Sequence, residues 1–366
     1  MLDKRELWFW LCNINGIGYK KIQELLDYYG DIESIFSAKE DSLKQINALS
    51  DRDIAYLSEV HEEDKIKRVY EELDKAKVRF VIQQDIEYPA KLCEVYDAPY
   101  GFYMKGNLPD VNRPSIAIVG ARNCTNYGRE LAIYFARELA KAGIQIISGL
   151  AMGIDGYSHT GALQENGYTL GILGSGIDVC YPKSNYYLYQ KMEIVGGILS
   201  EYGLHMKPLA GNFPRRNRLI AGLSDAILVI EARERSGSFI TVDQGLEQGK
   251  EIFVIPGRIT DELSLGCNRL ARMGAQVVCS PKDILEYFHI ESTKDQALGK
   301  RKELLNEILT EQEYAVYEQL TLEPLYIGRI VEKTKLEVGQ AAQALLNLEM
   351  KDLVKQIAKN YYTVRL

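Results

Sequence analysis

SIAIVGARNCTNYGRELAIYFARELAKAGIQIISGLAMGID, residues 115–155, holds two short apolar runs, an amphipathic stretch between them and glycines at the turns. SIAIVG (115–120) and IQIIS (144–148) are unbroken rather than alternating, as strands covered on both faces are. Between them, residues 127–142 place apolar side chains at three- and four-residue spacing, the period of a helix. Strand, crossover helix and second strand make a parallel pair. The unit repeats downstream. YTLGILG (168–174), ILSE (198–201), AILVIEA (226–232), EIFVIPG (251–257) and QVV (276–278) alternate with helical stretches near 155–165, 184–194, 239–248 and 268–273. The fold class is therefore α/β, a doubly wound, extended Rossmann-like and mostly parallel sheet.

Outward from this block the character changes. Residues 1–109 are polar and mostly helical, with helices expected over 19–29 and 62–79 and helix caps near Asp31, Asp41 and Asp51. A connector from Tyr88-Pro89 to Pro109 carries a short strand at GFYM. On the far side, ESTKDQALGKRK (291–302) is unpatterned and reads as a linker. Residues 303–366 give helices and then a hairpin turning at Lys359-Asn360, with Thr310-x-x-Glu313 as a capping box. The expected organisation is a helical domain over 1–80, the sheet domain over 81–290, the linker and a winged-helix module over 303–366.

The chain has 366 residues and a net charge of −7, a poor match to a protein that coats duplex DNA over its whole surface. The charge is uneven. Residues 1–109 carry 15 basic and 21 acidic side chains, whereas 110–290 carry 18 of each. No apolar run approaches the roughly 20 residues of a membrane span. Six scattered cysteines and four histidines fit neither a disulfide scaffold nor a zinc ribbon, and a reducing cytoplasm is the expected location. Asp155 and His159 stand four apart, but two ligands make no metal site, and no cofactor is expected.

Ligands of a doubly wound sheet lie beyond the carboxyl ends of its strands. Here those ends are rich in glycine: Gly120 after the first strand, Gly149 and Gly153 after the second, Gly174 and Gly176 after the third, and Ser236-Gly237-Ser238 before a helix. Such loops suit an anion, because backbone N–H groups at helix starts attract one. Neither G-x-G-x-x-G nor G-x-x-x-x-G-K-[ST] is present, which argues against a dinucleotide fingerprint and a P-loop nucleotidase. Cations stand there instead: Arg122, Lys183, Arg216 and Arg218, beside the rings of Tyr181, Tyr186 and Phe213. Cations interleaved with stacking faces are what a single nucleic-acid strand requires.

SIAIVGAR, TNYG, ISGLAMGIDGYSHTGAL, GILGSGIDVCYPKSN, FPRRNRLIAGLSDAILVIEA, RSGSFIT, EQGKEIFVIPG and GCN follow one another in an order that resembles the DNA-processing protein A family, also called Smf. The resemblance covers about residues 80–290. It implies a bacterial protein that binds single-stranded DNA in natural transformation, protects it and loads RecA recombinase, without catalysis. By that resemblance Gly120, Arg122, Lys183, Arg216 and Arg218 match DNA-contact positions, and Ser236, Gly237 and Ser238 a pocket loop. Thr125, Gly149, Gly174, Gly176, Asn185 and Asn217 complete the expected contact set. The family's dimeric habit points to a homodimer through the loop after EIFVIPG, at Ile259, Leu263 and Leu265.

The alternative is an enzyme, a nucleoside-monophosphate phosphoribohydrolase of the related Rossmann-like group. Those use a P-G-G-x-G-T loop followed by a glutamate. Here the stretch is Arg235-Ser-Gly-Ser-Phe-Ile-Thr-Val-Asp243-Gln244, with Asp243 and Glu247 the nearest carboxylates. The expected recognition helix of the winged module, 337–350, contains no Lys or Arg, which argues against duplex reading.

Overall fold

A computed structural model describes residues 2–59, 62–290 and 308–365. The linker expected at 291–302, and the first residues of the expected winged module, lie outside them. The helices before the sheet are α1 (Lys4–Asn13), α2 (Tyr19–Tyr29), α3 (Ile32–Phe36), α4 (Glu40–Leu43), α5 (Asp51–Ser58), α6 (Glu63–Lys75) and α7 (Ala90–Cys93). Those of the sheet region are α8 (Asn126–Lys141), α9 (Ile154–Gln164), α10 (Tyr186–Val195), α11 (Asn212–Gly222), α12 (Ser238–Glu247), α13 (Leu265–Arg272) and α14 (Pro281–Tyr287). The strands are β1 (Arg79–Ile82), β2 (Gly101–Gly106), β3 (Ser115–Gly120), β4 (Gln145–Ser148), β5 (Thr169–Gly176), β6 (Gly197–Tyr202), β7 (Ala226–Ile230), β8 (Glu251–Val254) and β9 (Gln276–Val277).

They pair in the order β1-β2-β6-β5-β4-β3-β7-β8-β9. From β6 to β9 every pair is parallel; β1 and β2 join antiparallel at one edge. All residues of β4, β5 and β7 are buried, which is why their sequences are unbroken apolar runs. Helices cover both faces. Leu131 and Phe135 of α8 join Ile116, Ile118 and Leu228 on one side, while Leu219 of α11 and Val242 of α12 join Ala117, Val119 and Val229 on the other. This is the doubly wound architecture that the sequence pattern predicts.

The amino-terminal helices are tied to the sheet by a shared core. Phe9 of α1 meets Phe80 of β1 and Tyr103 of β2 edge-on at 5.5 and 6.3 Å between ring centroids. The boundary expected at residue 80 therefore falls inside a strand of the main sheet. The helix expected over 62–79 ends early because Lys77 takes a left-handed conformation at φ 53°. No glycine marks that turn. Of the expected caps, Asp31 accepts from the Ser34 N–H at 2.7 Å, whereas Asp41 and Asp51 lie in the first turns of α4 and α5. Ser50 caps α5 instead, in a box with Asp53. Lys21 of α2 donates its ammonium to the Gly16 carbonyl in the turn before that helix (2.8 Å) and to Asp53 (2.7 Å), an internal role.

In residues 308–365, α15 (Glu311–Gln319), α16 (Ile327–Thr334) and α17 (Val338–Met350) pack with β10 (Leu325–Tyr326), β11 (Val354–Ala358) and β12 (Tyr361–Val364). Thr310 and Glu313 form the expected capping box, and Asn360 turns the hairpin at φ 66°. Three helices with a β wing make a winged-helix unit. Its Lys355 pairs with Glu130 of α8, and its Glu323 with Arg258 in the loop after β8.

Gly120 closes β3 where no side chain fits. A Cβ there would stand 1.9 Å from the Ile230 carbonyl oxygen and 2.7 Å from Ile154 Cγ1. Gly120→Ala should lower unfolding stability by about 1–3 kcal/mol, as overpacking does. Urea titration checks this, and a wild-type midpoint for the variant would contradict the packing described.

Candidate nucleic-acid interface

The chain lays β4, β5 and β6 to one side of β3, then returns to place β7 on its other side. A crevice opens at such a switch point because the two following loops diverge. These are residues 121–125 after β3 and 231–238 after β7. Two contacts tie them together. The Ala121 N–H donates to the Glu231 carbonyl at 2.8 Å, and the Glu231 carboxylate accepts from the Thr125 N–H at 2.8 Å and from its hydroxyl. Glu231 holds φ at 50°, a costly conformation for a glutamate that this double tie maintains.

Between the loops lies a cavity of about 720 Å³, with Gly120 to Asn123 on one wall and Arg233, Arg235 and Ser236 to Ser238 on the other. Tyr181 and Phe213 also line it. Arg122 is exposed, its guanidinium 5.8 Å from the centre of the Phe213 ring, and Phe213 meets Tyr181 at 5.7 Å between centroids. A cation over one of two adjoining ring faces offers both a phosphate partner and a stacking surface. Lys183 is exposed in a short turn two residues beyond Tyr181.

At the floor of the cavity the chemistry differs. Arg216 is 4% exposed, and its Nη1 donates to the carbonyls of Gly149 (2.7 Å) and Ile172. Its Nε donates to Asn217 Oδ1 at 3.2 Å. Burial pulls its pKa down to about 10 against the opposing pull of Asp155, so it stays cationic at neutral pH. Asp155 accepts from the Gly149 N–H at 3.1 Å; burial holds its carboxyl above the usual range in spite of Arg216.

Comparison with known proteins places the chain in a family. The sequence profile of the family described as DNA recombination-mediator protein A matches residues 79–289, and that of the DprA winged helix domain matches 301–358. The chain belongs to the DNA recombination-mediator protein A family. Protein Smf of Synechocystis is 30% identical over 382 residues, covering 95% of this chain and 96% of that protein. The X-ray structure of DNA processing protein A from Streptococcus pneumoniae superposes with a TM-score of 0.61 at 35% identity, over 77% of this chain and 97% of that one. A structure of the Helicobacter pylori protein, described for its single-stranded DNA binding mode, gives 0.52 at 31% identity over 57% and 95%.

Within this family member, the structure divides the residues expected at the site into two groups. Arg122, Asn217, Ser236, Gly237, Ser238 and Gly120 line the cavity, and Lys183 lies beside it. Others have their polar groups engaged internally in the protein alone. Arg216 lines the cavity floor, but it is 4% exposed and its Nη1 is taken up by the Gly149 and Ile172 carbonyls. The Arg218 guanidinium pairs with Asp97 (2.8 Å) and Glu201 (2.6 Å), with 11% of its side chain exposed. The Gly149 N–H serves Asp155, and the Gly176 N–H donates to the Met206 carbonyl at 2.8 Å. Gly174 is glycine because a Cβ there would meet the Phe213 ring at 2.7 Å. The Thr125 hydroxyl serves Glu231, and Asn185 clamps the carbonyls of Leu150 (3.0 Å) and Ala151 (2.9 Å). Tyr186 stacks on Tyr189 rather than joining Phe213. Two cavity arginines, Arg233 and Arg235, were not among the expected contacts, although Arg235 heads the Ser-Gly-Ser loop. Among the described residues no group of three or more potential metal ligands forms, and Asp155 and His159 have separate partners.

His159 is fully buried, with Nδ1 against Thr169 Oγ1 at 2.7 Å and burial pulling its pKa to about 3. A histidine held neutral in the fold leaves more protons on the unfolded chain below its ordinary value of 6.5. Its contribution is complete above that pH and fades as pH falls from 6.5 towards 3, on the order of a few kcal/mol in all. Melting temperatures at pH 7 and pH 5 should therefore differ more in the wild type than in His159→Gln. An equal pH dependence in both would contradict this.

Proposed function

We propose that this chain binds single-stranded DNA in the cavity at the switch point and mediates recombination without making or breaking a covalent bond. The observation that carries the reading is the exposed Arg122 over Phe213, with Tyr181 beside it, at a cavity whose floor hides a further positive charge. Every base has a face to stack and every step a phosphate to pair, so the arrangement suits an unstacked strand of any sequence. A duplex keeps its bases stacked inside and cannot use the rings. The winged module's α17 carries no Lys or Arg, so it offers a duplex no cation on that helix. The H. pylori relative, described for single-stranded DNA binding, supports the same reading.

The bound strand is held in the cytoplasm, protected, and passed to RecA recombinase during natural transformation. That step needs no chemistry at the cavity. The phosphoribohydrolase alternative requires a carboxylate from the helix after the glycine loop. Here Asp243 and Glu247 of α12 are exposed and outside the cavity lining, and the lining acid Asp155 is held by Gly149 and Arg216.

We further assign a homodimer to the loop after β8. Ile259 is 84% exposed and Leu265 38%, while Leu263 lines the cavity and its carbonyl accepts from the Ala232 N–H at 2.6 Å. Two cavities on one strand raise apparent affinity without new contacts.

In competition, a labelled single strand should be displaced by unlabelled single strand and poorly by the matching duplex. Arg122→Ala should flatten the log–log salt dependence by roughly 0.7 for each phosphate that the side chain neutralises. Equal displacement by duplex, or an unchanged slope, overturns the reading. For the dimer, Ile259→Glu with Leu265→Glu should sediment as a folded monomer. A wild type that is already monomeric at micromolar concentration places the interface elsewhere.

A further inference from the structure

The exposed cations of the sheet region do not stop at Arg122. Along the strand order β5-β4-β3-β7-β8, the loops beyond the carboxyl ends carry Lys183 after β5, Arg122 after β3, Arg233 and Arg235 after β7, and Arg258 after β8. All five are exposed. Neighbouring strands lie roughly 4.8 Å apart, so four steps from β5 to β8 set these charges along roughly 19 Å of one edge. Arg233 and Arg235 both line the cavity, whereas Glu234 between them does not. The positive side of this loop therefore faces inward.

Two of these arginines are occupied by carboxylates in the protein alone. Arg233 Nη2 stands 3.2 Å from Glu262, and Arg258 pairs with Glu323 of the winged module. Both pairs are more than half exposed on each side. Exposed pairs contribute little and exchange readily for another anion. Glu323 thus places a carboxylate on the exposed cation at the β8 end of this edge.

We propose that the β7 and β8 loops form a second half of the binding site, in which Arg235 and Arg258 take consecutive phosphodiesters of the same strand. In that half-site, Glu323 of the winged module is a resident anion that the nucleic acid displaces. This deepens the proposed function and rests on it. The strand then runs across the sheet edge from Lys183 to Arg258, and the winged module meets it at the far end. Contact between Asn126 Nδ2 and the Leu322 carbonyl (3.5 Å) places that module beside the Arg122 loop as well.

The test compares oligothymidylates of about four and about sixteen nucleotides, a span that matches known single-strand site sizes. Wild type should show a steeper salt dependence with the longer strand. Arg235→Ala with Arg258→Ala should remove most of that increase, roughly 0.7 per arginine, and leave the effect of Arg122→Ala in place. Glu323→Gln should tighten binding of the longer strand by roughly two- to five-fold, the range of one exposed ion pair. Both arginines are exposed, and circular dichroism verifies that the variant is folded. If the double variant keeps the wild-type slope while Arg122→Ala still weakens binding, the second half-site is refuted and the proposed function stands. If the wild type binds neither strand, the proposed function fails and takes this inference with it.

Discussion

A buried guanidinium holds the floor of the cavity. Arg216 reaches from α11 to the carbonyls of Gly149, just after β4, and of Ile172, within the neighbouring β5, and so links the two. An unpaired buried charge is expensive, and Asp155 with the backbone dipoles makes this one tolerable. Gly149 cannot be larger, since a Cβ would meet the guanidinium at 2.5 Å. Asp155 fixes the Gly149 N–H in turn. The loops above are thus seated on a buried guanidinium whose charge Asp155 partly offsets.

The ties above that floor follow from the same crowding. β3 and β7 approach so closely at Gly120 that only hydrogen fits, and the chain then turns at Glu231 in a left-handed conformation. Its carboxylate bridges to Thr125, which caps α8 through the Gly128 N–H at 3.1 Å. Arg122, between these anchors, is left exposed with its position determined from both sides. The glycine and serine of these loops therefore belong to a rigid frame with a few outward cations.

Much of this is legible in the sequence. Unbroken short apolar runs such as AILVIEA, alternating with helical stretches, read as strands covered on two faces, and the order of their glycine-rich ends locates the crevice. The division of labour is not legible. Arg216 and Arg218 read as a surface cluster, because sequence spacing does not reveal that one turns under the sheet and the other meets Asp97 and Glu201. Arg233 and Arg235 do not stand out as contacts, because Glu234 between them gives the stretch the pattern of an ordinary charged turn. β1 hides in the tail of a helical pattern, since Lys77 ends α6 without the glycine that signals such a stop.

The central claim is that a single strand lies against the rings at the switch point. Photo-crosslinking of a 5-iodouracil-substituted single strand, followed by peptide mass spectrometry, tests that placement directly. The predicted result is adducts at Phe213 or Tyr181 that disappear when Arg122 is replaced by alanine. Adducts confined to the winged module or the amino-terminal helices, with none at these two rings, would contradict it.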